Sequence, residues 1–288
     1  MKKLHFTKMH GIGNDYIYID CFRETVENPA ALARRMSPRR TSVGSDGLIL
    51  ICPSAVADAK MRMFNMDGSE GKMCGNGIRC VGKYLYDSGL ARKDTLTVET
   101  LSGVKTLRVQ AENGRAVTLT VDMGEPILTP AAIPVRFDGE RMINEPVTIG
   151  GAEYRITAVS MGNPHAVVFC EDIRALPLET LGPQFEFSPL FPEQVNTEFI
   201  RVADSRTLDM RVWERGSGET FACGTGACAA VVAAVLNGLC RRDEEITVRL
   251  RCGELMIRYA GDGHVYMRGA AEKVYEGEYE YEPADPDQ

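Results

Sequence analysis

Two cysteines stand in the same setting. Cys74 lies in Cys74-Gly75-Asn76-Gly77 and Cys223 in Cys223-Gly224-Thr225-Gly226, 149 positions further on. Each opens a stretch that reads as a helix, about Gly77 to Asp87 in one case and about Gly226 to Leu236 in the other. A helix N-terminus carries unpaired N–H groups and roughly half a positive charge. That setting stabilises a thiolate and lowers a cysteine pKa. The same N–H groups bind a carboxylate, and glycine lets a ligand approach the backbone closely. Gly75 and Asn76 therefore form an anion site beside one thiol, and Gly224 and Thr225 form one beside the other. Were the two thiols to face each other across a bound amino acid, one thiolate could remove the α-proton. The opposite thiol could then return a proton to the other face. The carboxylate, which gains enolate character on the way, would be held by both helix ends.

The elements that must position these thiols come in duplicate. Met61-Arg62-Met63-Phe64-Asn65 precedes Glu70 and Cys74; Met210-Arg211-Val212-Trp213-Glu214 precedes Glu219 and Cys223, at the same offset of 149. Gly13-Asn14 maps onto Gly162-Asn163, and Gly89-Leu90 onto Gly238-Leu239. A repeat this long implies two homologous halves. Short apolar and β-branched runs fill both: Tyr16 to Asp20, Gly47 to Ile51, Met61 to Asn65, Thr95 to Glu99 and Ala116 to Asp122. The second half offers Ala166 to Phe169, Thr197 to Val202, Asp209 to Glu214, Ile246 to Leu250, Leu255 to Tyr259 and Val265 to Arg268. Gly, Pro, Asn and Asp turns bound them as strands. Each half then holds one clear helix that stops at glycine, Gly89 or Gly238. The second is almost wholly small and apolar from Ala227 to Val235, which predicts burial on all sides. The expected fold class is α+β, with two pseudosymmetric, mainly-β halves each wrapped around a central helix. The halves run over 1–125, completed by 270–282, and over 126–269. Pro126, Pro130 and Pro134 mark a linker, and disorder is expected after Tyr281.

Composition narrows the function classes. The chain has 288 residues and a formal net charge of −7, with no basic stripe to meet nucleic acid. No apolar run reaches the ~20 residues of a membrane helix, and no signal-peptide stretch opens the chain. Nine cysteines without such a stretch point to free thiols in a reducing cytoplasm. Arg34, Arg35, Arg39 and Arg40, on a helix end and its loop, read as a solvated surface. Cys80 and Cys228 fall inside their helices and read as small core residues, and Cys21, Cys52, Cys170, Cys240 and Cys252 as structural. A zinc site fits poorly, since Cys-x5-Cys and Cys-x4-Cys do not match the short zinc knuckles. A thiol redox module stays open as a different class.

Met73-Cys74-Gly75-Asn76-Gly77-Ile78-Arg79-Cys80 and Ala222-Cys223-Gly224-Thr225-Gly226-Ala227-Cys228-Ala229 resemble the two signature motifs of the diaminopimelate epimerase family. Lys8 to Asp15, Phe64 to Ser69, Gly162 to His165, Val195 to Phe199 and Trp213 to Gly216 extend the likeness from Lys8 to about Arg268. The resemblance implies interconversion of LL- and meso-diaminopimelate, in lysine and peptidoglycan-precursor synthesis, with no cofactor, neither pyridoxal phosphate nor metal. It implies Cys74 and Cys223 as the acid/base pair, and Asn14, Asn65, Asn163, Asn196, Glu214 and Arg215 as substrate-binding residues. Arg215 suits the far carboxylate and Glu214 the far ammonium. His165 is placed in support of one cysteine, and Glu70 and Glu219 in a supporting or loop role. Gly47 is a departure, since some members carry Gln there. The expected partner is the small-molecule substrate, with no nucleic acid and no membrane. A homodimer is common among relatives, although no interface is visible in the sequence. Proline racemase and hydroxyproline epimerase, which take a cyclic substrate with one amino-acid end, are the nearest alternative; the Glu214-Arg215 pair favours a two-ended substrate.

Overall fold

The computed structural model describes residues 2–282, and its chain divides into two compact units. The first spans Met1–Val121 and resumes at Gly269; the second is Asp122–Arg268. The expected disorder beyond Tyr281 falls mostly on residues 283–288, outside those described.

The first unit runs β1 (Lys2–Gly11), β2 (Asn14–Asp20), α1 (Pro29–Met36), β3 (Gly47–Cys52), β4 (Ala59–Asn65), β5 (Glu70–Gly71), α2 (Gly75–Ser88), β6 (Thr95–Thr100), β7 (Gly103–Glu112) and β8 (Arg115–Asp122). The second runs β9 (Glu145–Ile149), β10 (Ala152–Ser160), β11 (Pro164–Phe169), α3 (Leu178–Glu186), β12 (Asn196–Asp204), β13 (Thr207–Glu214), β14 (Gly218–Thr220), α4 (Gly224–Leu236), β15 (Ile246–Leu250), β16 (Gly253–Tyr259) and β17 (Val265–Ala270). A last strand, β18 (Glu272–Tyr281), pairs antiparallel with β1 along its length. The fold is thus α+β and mostly sheet. No helix among the described residues is long and apolar enough to cross a membrane.

The repeat seen in sequence is a repeat of strand register. In the first unit β2 and β3 are parallel, with Tyr16 opposite Gly47 and Tyr18 opposite Ile49. In the second, β11 and β12 are parallel, with His165 opposite Asn196 and Val167 opposite Glu198. Leu48 faces Phe64 as Thr197 faces Trp213, and Met63 faces Gly71 as Val212 faces Thr220. Parallel strands with both faces covered read as unbroken apolar runs, and β3 is buried from Gly47 to Ile51.

Both central helices start and stop on local signals. Cys74 is extended (φ −130, ψ 120) and caps α2, which ends on left-handed Gly89 at φ 80. Cys223 (φ −121, ψ 110) caps α4; Asn237 closes it, and Gly238 turns left-handed at φ 71. Helix α4 is buried continuously from Gly226 to Ala234, and α2 buries Gly75 to Gly82 and Leu85. The proline-marked segment is not a loose linker. Ile127 bridges to Ser160, Pro130–Ala132 forms a 3-10 turn, and Ile133 and Val135 enter the second unit's apolar core.

Candidate active site

In the first unit the half-buried Cys74 sulfur accepts the N–H of Gly77 at 3.3 Å. Its thiol donates to Oδ1 of Asn14, also at 3.3 Å. Asn14 is held from behind, because its Nδ2 donates to Asp46 at 2.7 Å. A carboxylate can only accept, so this bond fixes the amide with its oxygen toward the thiol. Asn76 donates to the same oxygen at 3.4 Å. Arg79, fully buried, donates to Asn76 Oδ1 at 2.9 Å and to the Gly75 carbonyl at 3.1 Å, which pins the first turn of α2. Behind Asp46 lies a charged cluster. Arg39 bridges Asp15 and Asp46, each at 2.6 Å, and Lys8 pairs with Asp15 at 2.5 Å. Burial raises the Asp46 carboxyl, aided by neighbouring Asp15. Burial works against ionisation of Asp15 too, but Arg39 and Lys8 hold that carboxyl below its ordinary value. The Tyr16 hydroxyl is pushed well up by burial and then by Cys74.

In the second unit the buried Cys223 sulfur accepts the N–H of Gly226 at 3.4 Å and meets Thr225 Oγ1 at 3.5 Å. Asn163 Nδ2 donates to that hydroxyl at 3.3 Å. Asn163 Oδ1 lies 3.1 Å from His165 Nε2, and His165 Nδ1 lies 2.7 Å from Glu198 Oε1. Both His165 and Glu198 have no exposed side-chain surface. Glu214 accepts from the Thr220 hydroxyl, and its carboxylate acts on the Cys223 thiol.

The expectation that the helix end lowers both thiols is not met at Cys223. Burial pushes this thiol well above the ordinary range, and the Glu214 and Glu198 carboxylates push the same way. Thr225 and the Gly226 N–H pull it down, but by less. Desolvation of the charged form outweighs half a helix dipole here. The Glu214 carboxyl is raised as well, first by burial.

The remaining residues singled out in the sequence take definite places. Asn65 is exposed at the end of β4, and its amide donates to Ser69 at 2.9 Å. Asn196 is buried, donates to the Pro164 carbonyl at 2.8 Å and accepts the Arg215 backbone N–H at 3.0 Å. The exposed Arg215 guanidinium donates to the Glu193 carbonyl. Glu70 and Glu219 make two-pronged bonds to Arg62 (2.8 and 3.0 Å) and Arg211 (2.9 and 3.0 Å). They brace the loops before the cysteines. Gly47 has a reason to be glycine: a Cβ there would meet the Phe64 carbonyl oxygen at 2.2 Å. Sequence reasoning missed Asp46, Arg79 and Glu198. Arg39 is exposed as read, and it also closes the Asp15–Asp46 cluster behind Asn14. Arg79 had a signal, since positions three and four after Asn76 and Gly75 share a helix face.

Comparison with known proteins supplies the family. A family model described as diaminopimelate epimerase matches residues 6–129 and 157–274. The chain is 56% identical to the diaminopimelate epimerase of Acetivibrio thermocellus over 276 residues, 96% of this chain and 98% of that one. It is 55% identical to that of Geobacillus kaustophilus over 284 residues, 98% of each. Among solved structures, a probable proline racemase from Agrobacterium radiobacter superposes with a TM-score of 0.72 at 15% identity, covering 98% of this chain and 94% of that one. A hydroxyproline epimerase from Agrobacterium vitis gives 0.71 at 15% identity, covering 99% and 93%. At that identity these two show a shared fold.

Proposed function

The chain belongs to the diaminopimelate epimerase family, and on that premise we propose that it interconverts LL- and meso-diaminopimelate with Cys74 and Cys223 as the two proton-transfer groups. One observation carries the reading. Each unit presents a cysteine as the side-chain cap of a central helix, with an asparagine wired to that first turn, in the same register both times. A thiol set against helix N–H groups gains stabilisation for the thiolate just as it takes a proton.

The reaction runs as two half-steps. One sulfur, as thiolate, takes the α-proton. The negative charge spreads into the α-carboxylate, which the first-turn amides around Gly75–Asn76 and Gly224–Thr225 hold. The other sulfur, as thiol, delivers its proton to the opposite face and ends as the thiolate, poised for the reverse direction. Burial that keeps Cys223 protonated at rest suits a proton donor. Asn14, Asn65, Asn163 and Asn196 align the substrate, Arg215 binds the far carboxylate and Glu214 the far ammonium. The reaction takes place in the cytoplasm, whose reducing poise keeps both thiols free.

The test is deuterium incorporation from solvent at the α-carbon of LL-diaminopimelate, with proline as the comparison substrate. Incorporation into diaminopimelate together with appearance of the meso form is expected. Incorporation into proline and none into diaminopimelate would reverse the assignment.

A further inference from the structure

We propose that Glu198 is a positioning residue for the Cys223 half-reaction: it holds His165 with a hydrogen on Nε2, and so turns the Asn163 amide and the Thr225 hydroxyl to donate toward the Cys223 sulfur. The inference rests on the reading of Cys223 as a reacting thiol.

The fold does not need this acid. The repeat places Ile49 of β3 where Glu198 stands in β12, and Tyr16 of β2 where His165 stands in β11. Ile49 packs on the helix α2 glycine, its Cδ1 2.6 Å from where a Gly77 Cβ would be. Glu198 packs on α4 in the same way, its Oε1 2.6 Å from where a Gly226 Cβ would be. An apolar side chain therefore fills that position well. Burying a carboxyl there instead is costly, and all the more so because Glu198 Oε2 finds no hydrogen-bond partner among the described residues. Such a group is retained for what it does to its neighbours.

What it does follows from donor and acceptor bookkeeping. A buried carboxylate beside a neutral imidazole would leave an uncompensated charge. A carboxylate beside an imidazolium, or the tautomer with the shared proton moved across, is neutral as a pair. Either way one hydrogen lies between Nδ1 and Oε1, over 2.7 Å, and a second sits on Nε2. That second N–H can only donate, so Asn163 must offer Oδ1, 3.1 Å away, and send Nδ2 to Thr225. The Thr225 oxygen then accepts from Asn163, which leaves its own hydrogen free to turn to the Cys223 sulfur, 3.5 Å away. Every link donates toward the sulfur. When Cys223 gives up its proton to the substrate, a charge-assisted bond from Thr225 is already in place for the thiolate. With Gln in place of Glu198 the neutral pair has one hydrogen fewer, and nothing commits Nε2 to donate.

The test has two arms on the full-length protein. Nitrogen-15 NMR of histidine-labelled wild type, with His165 assigned by loss of its signal in His165→Asn, should show Nε2 of His165 carrying hydrogen near neutral pH. An Nε2 that carries no hydrogen overturns the proposal without any Glu198 variant. For Glu198→Gln, kcat should fall about ten- to a hundredfold, the worth of one hydrogen bond to a charged group, with KM little changed and Nε2 of His165 losing its hydrogen, in whole or in part, to Nδ1. Glu198→Asp should recover much of the rate. Wild-type kcat in a folded Glu198→Gln overturns the proposal. Absence of α-proton exchange in the wild type would instead overturn the assignment of the reaction itself.

Discussion

Cys74 and Cys223 occupy equivalent helix caps in equivalent registers, yet their asparagines are turned in opposite senses. Asn14 is anchored by an acceptor, Asp46, so its oxygen receives the Cys74 thiol hydrogen. Asn163 is anchored by a donor, His165, so its nitrogen faces Thr225 and the chain runs toward the Cys223 sulfur. One duplicated scaffold thus carries two pockets of opposite hydrogen-bond polarity. The lesson is that symmetry of backbone places the thiols, while unlike neighbours decide which protonation state each pocket favours.

Breaking the pair outright has the largest effect. Cys74→Ser and Cys223→Ser should each lower kcat for net inversion by roughly 10²- to 10⁴-fold, the range for loss of a general acid or base, while substrate still binds. Steady-state kinetics and calorimetric titration check this. Wild-type turnover from either variant would mean the sulfurs do not act together.

Copying one pocket into the other sharpens the comparison. His165→Tyr with Glu198→Ile reproduces the Tyr16–Ile49 arrangement. A buried ion pair replaced whole by packed side chains is often neutral for stability, whereas losing one partner costs ~3 kcal/mol or more. The double variant should therefore melt closer to wild type than Glu198→Ile alone, while turning over far more slowly. Urea unfolding of the two proteins decides it; a double variant less stable than the single one would show that the second unit does depend on the pair.

The braces differ by degree. Arg211–Glu219 is less exposed (19% and 10%) than Arg62–Glu70 (37% and 29%). Arg211 also donates to the carbonyls of Ile173, Arg174 and Leu176. Glu219→Gln should cost about 1–2 kcal/mol and Glu70→Gln under about 1. Both glutamates are held below their ordinary pKa by their arginines. Their stabilising bonds are therefore present above the unfolded carboxylate range and fade as pH falls through the lowered folded values. Unfolding at neutral pH should separate the two variants, and the gap should close in acid.

The smallest effect concerns the resting thiol. Because Cys223 is raised, its thiolate fraction at neutral pH lies below that of an ordinary cysteine. Its alkylation rate in ligand-free protein should still be climbing above the usual thiol range. Site-resolved mass spectrometry reads this directly, and a plateau near neutral pH would contradict the burial argument.

Much of this frame was legible in the residues. The repeat of Met61–Glu70–Cys74 as Met210–Glu219–Cys223 foretold identical strand register, and the helix stops fell on Gly89 and Gly238 as read. The strands β1 and β18 were not seen: β1 breaks its apolar run with Lys3, His5, Lys8 and His10, and β18 is mostly exposed and rich in glutamate. The helix end read at Arg34 and Arg35 is that of α1, whose start could also have been read, since Asn28 caps it and Pro29 opens it. Helix α3 holds Gly182 and Pro183, which hid it. Glu198 passed unnoticed as an ordinary strand residue, yet its repeat partner Ile49 marks an inward position. The raised Cys223 pKa was not readable at all, because it depends on burial and on acids brought from distant strands.

The central claim is that two sulfurs serve opposite faces of one carbon. It is tested most directly by following solvent deuterium into LL- and meso-diaminopimelate with each serine variant in turn. The account predicts that net inversion is lost in both variants, with exchange surviving from one stereoisomer in Cys74→Ser and from the other in Cys223→Ser. Exchange surviving from the same stereoisomer in both, or undiminished inversion in either, would contradict it.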